Sequence, residues 1–169
     1  YEYFMNYTSN GKLSLDTEKF INFCSSLVPS LREQNINLTI FGFTFIIYEY
    51  LIKNLQKRKI TVNLRGAKLA HIGGWKKLSE KKVDSNKFKS DIQKTLGVLP
   101  ADVVDFYGFT EQMGIIYGEN SLGYKMTSAY SEIIIRDPNT LEPVEDGQIG
   151  LIQALSPIFS SYPGISVLT

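Results

Sequence analysis

Features that mark special classes of protein are scarce in this sequence. A single cysteine, Cys24, excludes an internal disulfide framework and is consistent with a reducing compartment. The longest apolar stretch, residues 38–48, is far shorter than the ~20 residues that span a bilayer. An excess of charge is also missing, since 18 basic and 17 acidic residues leave a net charge of +1. Because no broad electrostatic field favours DNA, RNA or an anionic membrane, we expect a soluble, cytoplasmic protein with no nucleic-acid partner and no membrane span.

The composition is that of an ordinary globular domain. Hydrophobic residues make up 43% of the 169 residues and charged residues 21%, which excludes a mainly disordered chain. The chain begins at Tyr1 rather than at a methionine, and it ends at Thr169 within a run of β-type residues. We therefore expect residues 1–169 to be a single partial domain, an incomplete fragment of a larger domain.

Alternating hydrophobic patterns occupy the first two thirds of the sequence. Short apolar runs predict strands over residues 38–41, 67–72 and 102–106. Apolar residues at helical spacing predict helices over 43–57 and 85–96. Strands and helices in this alternating order predict a mostly parallel sheet flanked by helices, which is an α/β fold.

Two further segments flank this pattern. Near the N-terminus, apolar residues at helical spacing predict a helix that ends at Pro29, with Cys24 as a core residue on its apolar face. Toward the C-terminus, strands are predicted over 132–136 and 149–154, with turn-forming residues such as Asp146-Gly147 between them. This second pattern predicts an antiparallel meander.

Three strand ends carry residues suited to binding a ligand. In a parallel sheet, ligands bind beyond the carboxyl ends of the strands, and these ends are residues 41–44, 71–75 and 107–112. Each contains glycine, which lets the backbone come close to a flat or charged ligand. The third segment also has Thr110, whose hydroxyl can bond a phosphate oxygen, and Glu111, whose carboxylate can hold Mg²⁺.

Purely structural roles are open for each of these residues. A plain turn also uses a pair such as Gly73-Gly74, and a Thr-Glu pair after a strand is also a common helix cap. His71, the only histidine, is either a catalytic group or a buried histidine near the site, and no partner triad is visible. The residues alone therefore predict an α/β domain with a phosphate site, and they choose neither a nucleotide nor a reaction.

Four segments, taken in order, resemble a known family. Tyr107-Gly108-Phe109-Thr110-Glu111 resembles the Tyr-Gly-x-Thr-Glu motif of the adenylate-forming superfamily, which includes acyl-CoA synthetases and luciferases. With three other segments it is similar to the LuxE-type acyl-protein synthetases of bacterial luminescence. Those three are Gly73-Gly74-Trp75-Lys76, Ile134-Ile135-Arg136-Asp137-Pro138 and Ser161-Tyr162-Pro163-Gly164. The resemblance implies an internal part of the large N-terminal adenylating domain.

The resemblance also implies a reaction that uses ATP and Mg²⁺. An acyl carboxylate, that of a long-chain fatty acid, would be activated as an acyl-adenylate with release of pyrophosphate. The acyl group would then pass to a thiol acceptor, which is either a protein cysteine or coenzyme A. The implied partner protein is an acyl reductase.

Residues of the nucleotide site follow from the same resemblance. Gly73 and Gly74 would approach the adenine, and Tyr107, followed by Gly108, would pack against it. Thr110 would bond the α-phosphate. Glu111 would bind Mg²⁺, which makes Thr110 and Glu111 the implied catalytic residues.

Residues of the acyl site are implied in the same way. The three residues after the glutamate, Gln112, Met113 and Gly114, would line the acyl pocket. The turn formed by Gly42 and Phe43 would lie near the substrate carboxylate.

Several parts of the superfamily's active site are missing from this sequence. A phosphate loop is expected upstream of Tyr1, and a ribose-binding aspartate just after Thr169. The C-terminal domain with its lysine is missing too, and Cys24 is not where acyl-protein synthetases carry the acyl group. We therefore expect the isolated chain to be inactive. Two alternatives stay open, a phenylacetate-type aryl-CoA ligase of the same superfamily and a non-catalytic α/β interaction domain.

Overall fold

The computed structural model describes residues 1–75, 83–112, 114–158 and 165–169. These residues form two compact units, Tyr1–Asp105 and Phe106–Thr169. The first unit contains a sheet with its flanking helices, and the second contains mainly antiparallel strands. The predicted α/β fold with an antiparallel meander toward the C-terminus is confirmed.

The first unit begins with a hairpin that the sequence patterns do not predict. Strands β1 (Met5–Tyr7) and β2 (Leu13–Leu15) pair antiparallel. Helix α1 (Thr17–Glu33) follows, and its N-terminus is capped by Asp16, whose carboxylate accepts a hydrogen bond from the Lys19 N–H at 2.9 Å.

The prediction that α1 ends at Pro29 is wrong, because the helix continues to Glu33 with the proline inside it. A proline within a helix removes one backbone hydrogen bond. The neighbouring Val28 is 4% exposed and belongs to the hydrophobic core, and this packing holds the chain in place across the proline.

The central sheet of the first unit has the predicted parallel arrangement. Strands β3 (Thr39–Phe43) and β4 (Lys68–Ile72) pair parallel and in continuous register. Strand β5 (Val103–Tyr107) is the next neighbour of β4 in the sheet. β3 ends at Phe43, two residues beyond the predicted end at residue 41. The carboxyl ends of β3 and β4 therefore lie side by side.

The helix predicted over 43–57 begins one residue later, at Thr44, and differs in type over much of its length. A π-helix covers Ile46–Ile52, and α2 (Lys53–Lys57) continues from it. The side chains that pack into the core of this unit share one apolar face, and they are Ile47, Tyr48, Leu51, Ile52 and Leu55. Such π-helical segments are uncommon and are frequently found at functional sites.

Helix α3 (Ser85–Leu96) forms as predicted because strong local signals mark both of its ends. The Asp84 carboxylate accepts a hydrogen bond from the Lys87 N–H at 2.9 Å at the N-terminus. Gly97 ends the helix with a φ of +72°, and its N–H donates to the Gln93 carbonyl. Phe88, Ile92 and Leu96 are buried on one face of α3.

A buried tyrosine joins the π-helix to α3. The Tyr48 hydroxyl donates a 2.7 Å hydrogen bond to Asp91 Oδ2, which also accepts from Lys87 Nζ at 2.8 Å. Burial, and after it the hydrogen bond to Asp91, raises the pKa of Tyr48 to about 12. The folded protein therefore favours the neutral form of Tyr48 over the phenolate. The contribution of this preference to the free energy of unfolding is fully present below pH 10.0, the ordinary pKa, and is lost as the pH rises through about 12.

Replacing Tyr48 by phenylalanine should lower the free energy of unfolding by about 1–2 kcal/mol, because the largely buried Asp91 carboxylate loses a hydrogen-bond donor. Urea denaturation measures the change. Tyr50→Phe is the matched control, since Tyr50 is 45% exposed and its replacement should leave the stability almost unchanged. Equal stabilities for the Tyr48 and Tyr50 variants would contradict the role of this hydrogen bond.

The second unit begins with the end of β5, where Phe106 and Tyr107 pair antiparallel with β6 (Tyr117–Gly118). Strands β7 (Glu132–Arg136), β8 (Leu151–Ser156) and β9 (Ile165–Leu168) form an antiparallel sheet in the order β7-β8-β9. β7 has the predicted bounds, whereas β8 begins two residues later than predicted.

The turn after β7 is fixed by Asp137, which belongs to one of the four segments that resemble the family. Its carboxylate accepts hydrogen bonds from the N–H groups of Asn139 and Thr140 at 2.8 and 2.9 Å. The hydrogen bond from the Thr140 N–H is the main cause that holds the pKa of Asp137 below its ordinary value, and the bond from the Asn139 N–H is the second.

Among the described residues, each helix is too short or too polar to span a membrane.

Candidate functional site

The end of β3 places Gly42 and Phe43 beside the π-helix. A Cβ atom on Gly42 would lie 3.3 Å from Cδ1 of Ile47, so a side chain there would press on the helix. Phe43 is the last residue of the strand and is 51% exposed. The close packing of strand and helix explains the glycine, and the exposed ring leaves Phe43 accessible at the strand end.

The end of β4 exposes the backbone of Gly73 and Gly74. Gly73 has a φ of +80°, a conformation that favours glycine, and an added Cβ would lie 3.4 Å from the Phe43 ring. At Gly74 an added Cβ would meet nothing within 4 Å. The backbone at Gly74 is therefore open to solvent, and the approach of the adenine to this glycine pair stays a prediction. Trp75, which follows, is buried against Tyr48 with ring centroids 5.4 Å apart.

His71 lies in β4, two residues before this turn, and is 6% exposed. Its Nδ1 lies 2.9 Å from the Thr44 hydroxyl and 3.4 Å from Asp105 Oδ1. The His71 ring packs against Phe88 of α3 with centroids 4.6 Å apart. The histidine is therefore buried near the candidate site. Thr44 and Asp105 are partners that the sequence patterns do not identify.

In the second unit, an aromatic cluster surrounds the end of β5. Tyr107 is 40% exposed, and its ring centroid lies 5.8 Å from that of Phe109 and 6.3 Å from that of Tyr117. The Phe109 and Tyr117 rings are stacked at 6.5 Å. The cluster holds Tyr107 in place while leaving part of its ring open to a planar ligand.

Thr110, Glu111 and Gln112 form one turn of 3₁₀-helix directly after this cluster. Thr110 and Glu111 are exposed, and neither side chain has a hydrogen bond or ion pair with another residue that the structure describes. Their hydroxyl and carboxylate are therefore available to a ligand. A helix-capping role for Glu111 has no supporting contact among those residues.

Gln112 points the other way and is 1% exposed. Its Oε1 accepts a 2.6 Å hydrogen bond from the Tyr117 hydroxyl, which fixes the side-chain amide within the second unit. Gly114 is exposed and has a φ of +89°. Met113 lies outside the described residues, so its assignment to an acyl pocket stays a prediction. The role of Gln112 and Gly114 as acyl-pocket residues stays a prediction as well.

The described residues contain no cluster of three or more histidine, cysteine, aspartate or glutamate side chains that could hold a metal ion by themselves. Mg²⁺ is usually held through one or two carboxylates together with substrate phosphates and water. The exposed Glu111 carboxylate fits that kind of site.

Cys24 is buried at 8% exposure, and burial raises the pKa of its thiol to about 11. Cys24 is a core residue, as predicted.

The fold is similar to part of the fold of several acyl-CoA ligases. Apo MatB from Rhodopseudomonas palustris aligns with 13% identity and a TM-score of 0.54 over 85% of this chain and 25% of its own. A long-chain-fatty-acid-CoA ligase (FadD1) from Archaeoglobus fulgidus aligns with 14% identity and a TM-score of 0.53 over 79% of this chain and 27% of its own.

A 2-hydroxyisobutyryl-CoA ligase in the postadenylation state, in complex with R3-HIB-AMP, aligns with 22% identity and a TM-score of 0.54. That alignment covers 86% of this chain and 29% of the ligase. The chain thus spans less than a third of the length of these three structures. None of the curated protein sequences matches it.

The family profile described as "Acyl-protein synthetase, LuxE" matches residues 2–169, which is nearly the whole chain. The match includes the exposed Gly73-Gly74 turn of the first unit and the Thr110-Glu111 turn of the second. The chain therefore belongs to the acyl-protein synthetase family LuxE.

Proposed function

We propose that this chain is an internal part of the large N-terminal adenylating domain of a longer acyl-adenylate-forming ligase. In the proposed reaction, a carboxylate oxygen of an acyl substrate attacks the α-phosphorus of ATP. The bond between the α-phosphorus and the bridging oxygen breaks, and pyrophosphate leaves. The acyl group then passes to a thiol, which displaces AMP.

The observation that carries this proposal is the 3₁₀ turn after β5, where Thr110 and Glu111 are both exposed. Thr110 would donate a hydrogen bond from its hydroxyl to an α-phosphate oxygen. Glu111 would hold Mg²⁺, which neutralises charge on the phosphates. A hydroxyl and a carboxylate side by side, with no competing side-chain contact among the described residues, suit a magnesium–nucleotide complex.

Other residues would position the substrates. The partly exposed ring of Tyr107, next to Gly108, suits a planar base. The exposed backbone at Gly73 and Gly74 suits close approach of the adenine.

For the acyl group, we propose that Gln112, Met113 and Gly114 line the pocket. The turn at Gly42 and Phe43 would lie near the carboxylate. These assignments rest on the motif match, and the exposure of Phe43 and Gly114 is consistent with them.

The substrate proposed for the full-length protein is a long-chain fatty acid, and the thiol is a protein cysteine or coenzyme A. An acyl reductase would accept the product, and the protein would act in the cytoplasm. The family match supports an acyl-protein synthetase. The resemblance implies that a cysteine outside this chain would then carry the acyl group.

Exchange of labelled pyrophosphate into ATP tests the proposed function. We expect the full-length protein to catalyse this exchange in the presence of a long-chain fatty acid and Mg²⁺, and the 169-residue chain alone to catalyse none, since most of the binding energy for ATP would come from residues outside it. Exchange with phenylacetate and not with fatty acids would favour an aryl-CoA ligase. No exchange with any acid would favour a non-catalytic domain.

A further inference from the structure

Three residues in or directly after neighbouring strands form a polar cluster beside the Gly73-Gly74 turn. Thr44 directly follows β3 and is 7% exposed, and His71 in β4 is 6% exposed. The Thr44 hydroxyl lies 2.9 Å from His71 Nδ1 and 3.4 Å from the carbonyl oxygen of Ile72, the residue before the turn. Asp105 Oδ1 in β5 lies 3.4 Å from the same His71 nitrogen.

These contacts favour one arrangement of protons. A carboxylate can only accept a hydrogen bond, so the nitrogen that faces Asp105 is stabilised when it carries a proton. The same Nδ1–H can donate a hydrogen bond to the Thr44 oxygen, which lies 2.9 Å from this nitrogen. The Thr44 hydroxyl proton is then left to donate to the Ile72 carbonyl. The two hydrogen bonds of Thr44 and the contact between His71 and Asp105 are compatible with one another only when His71 carries a proton on Nδ1.

We propose that Thr44 and His71, oriented by Asp105, are positioning residues that fix the Ile72 carbonyl and hence the Gly73-Gly74 turn against the nucleotide. The role in nucleotide binding rests on the proposed function. Thr44 and His71 are too buried to be placed on the substrate themselves, so they act through the backbone of the turn. Phe88 of α3 packs on the His71 ring and holds it in this orientation.

Valine at position 44 keeps the shape of threonine and removes the hydroxyl. In the full-length protein, we expect Thr44→Val to raise the KM for ATP roughly tenfold, as the loss of one buried hydrogen bond predicts. The kcat and the KM for the acid should change by less than about threefold, because the interaction is with the nucleotide. Thr44→Ser restores the hydroxyl and should restore the KM for ATP.

Thr95→Val is the matched control. Thr95 is 2% exposed and lies in the last turn of α3, where its hydroxyl accepts a hydrogen bond from Gln56. Its replacement should leave the KM for ATP unchanged. The proposal is overturned if Thr44→Val leaves this KM unchanged, if Thr44→Ser is as impaired as Thr44→Val, or if Thr95→Val produces the same rise.

A second measurement does not depend on activity. The ¹⁵N chemical shifts of the imidazole in labelled full-length protein report which nitrogen carries the proton, and His71→Gln identifies the signal by its loss. We expect the Nδ1–H form in the wild type and a loss of that preference in Thr44→Val. A neutral Nε2–H form in the wild type would overturn the proposed network. If the wild type shows no pyrophosphate exchange, the proposed function fails, and the imidazole signal still decides the hydrogen-bond arrangement.

Discussion

Replacing Glu111 by glutamine in the full-length protein should slow adenylation roughly a hundredfold at limiting Mg²⁺, which is a loss of about 3 kcal/mol of transition-state stabilisation. Glutamine keeps the size of glutamate and can still accept a hydrogen bond. A hard cation such as Mg²⁺ needs the anionic oxygen, so a metal ligand would be lost. The measurement is the adenylation rate as a function of Mg²⁺ concentration.

The exposed position of Glu111 makes this variant informative, because replacing an exposed carboxylate by an amide should change the stability of the protein little. A helix cap would behave differently, since Glu111→Gln would then change activity only as far as it changes stability. Glu145→Gln is the matched control, because Glu145 is an exposed acidic residue in a turn of the second unit. Normal adenylation by Glu111→Gln at limiting Mg²⁺ would show that Glu111 is not a metal ligand.

Replacing Gly150 by alanine should destabilise the second unit by about 2–3 kcal/mol, the upper range for an added methyl group in a closely packed position. A Cβ atom at Gly150 would lie 2.3 Å from the carbonyl oxygen of Arg136 and 2.9 Å from Cγ2 of Ile135. Because the first obstacle is backbone, it cannot move aside as a flexible side chain would. Arg136 pairs with Leu151, so the clash falls at the start of the β7–β8 ladder.

Amide hydrogen exchange of β7 and β8 measures this loss. Gly147→Ala is a useful comparison, since Gly147 has a φ of +88° and open space where its Cβ would be. That variant should cost about 1 kcal/mol through backbone strain, and Gly147→Asn should recover part of it because asparagine tolerates positive φ. If Gly150→Ala costs no more than Gly147→Ala, the close approach to Arg136 does not constrain the fold.

Elements with strong local signals could be predicted from the sequence. Helix α3 has an aspartate cap before it and a glycine with positive φ after it, and both signals lie next to the helix in the sequence. The strand at 132–136 has its predicted bounds because apolar β-type residues precede a turn that Asp137 stabilises. The exposed turns at Gly73-Gly74 and Thr110-Glu111 also lie where strand ends were expected.

Features that depend on contacts between distant residues could not be predicted in this way. A π-helix and an α-helix have similar apolar spacing over seven residues, so nothing in the pattern distinguishes Ile46–Ile52 from an ordinary helix. The Thr44–His71 hydrogen bond joins residues 27 positions apart. The β1–β2 hairpin has three-residue strands, which are too short to give a periodic pattern. Core packing at Val28 similarly outweighed the tendency of Pro29 to end a helix.

The edge position of β3 has a consequence for handling the isolated chain. Within the part of the sheet that the structure describes, β3 pairs with β4 on one side and with no strand on the other. Its five residues are uncharged, and the Phe41 and Phe43 side chains are 69% and 51% exposed. Soluble proteins usually protect such edges with charged residues, proline or a covering segment, because an unprotected edge pairs with that of another molecule. The isolated chain is therefore expected to be prone to self-association through the edge of β3.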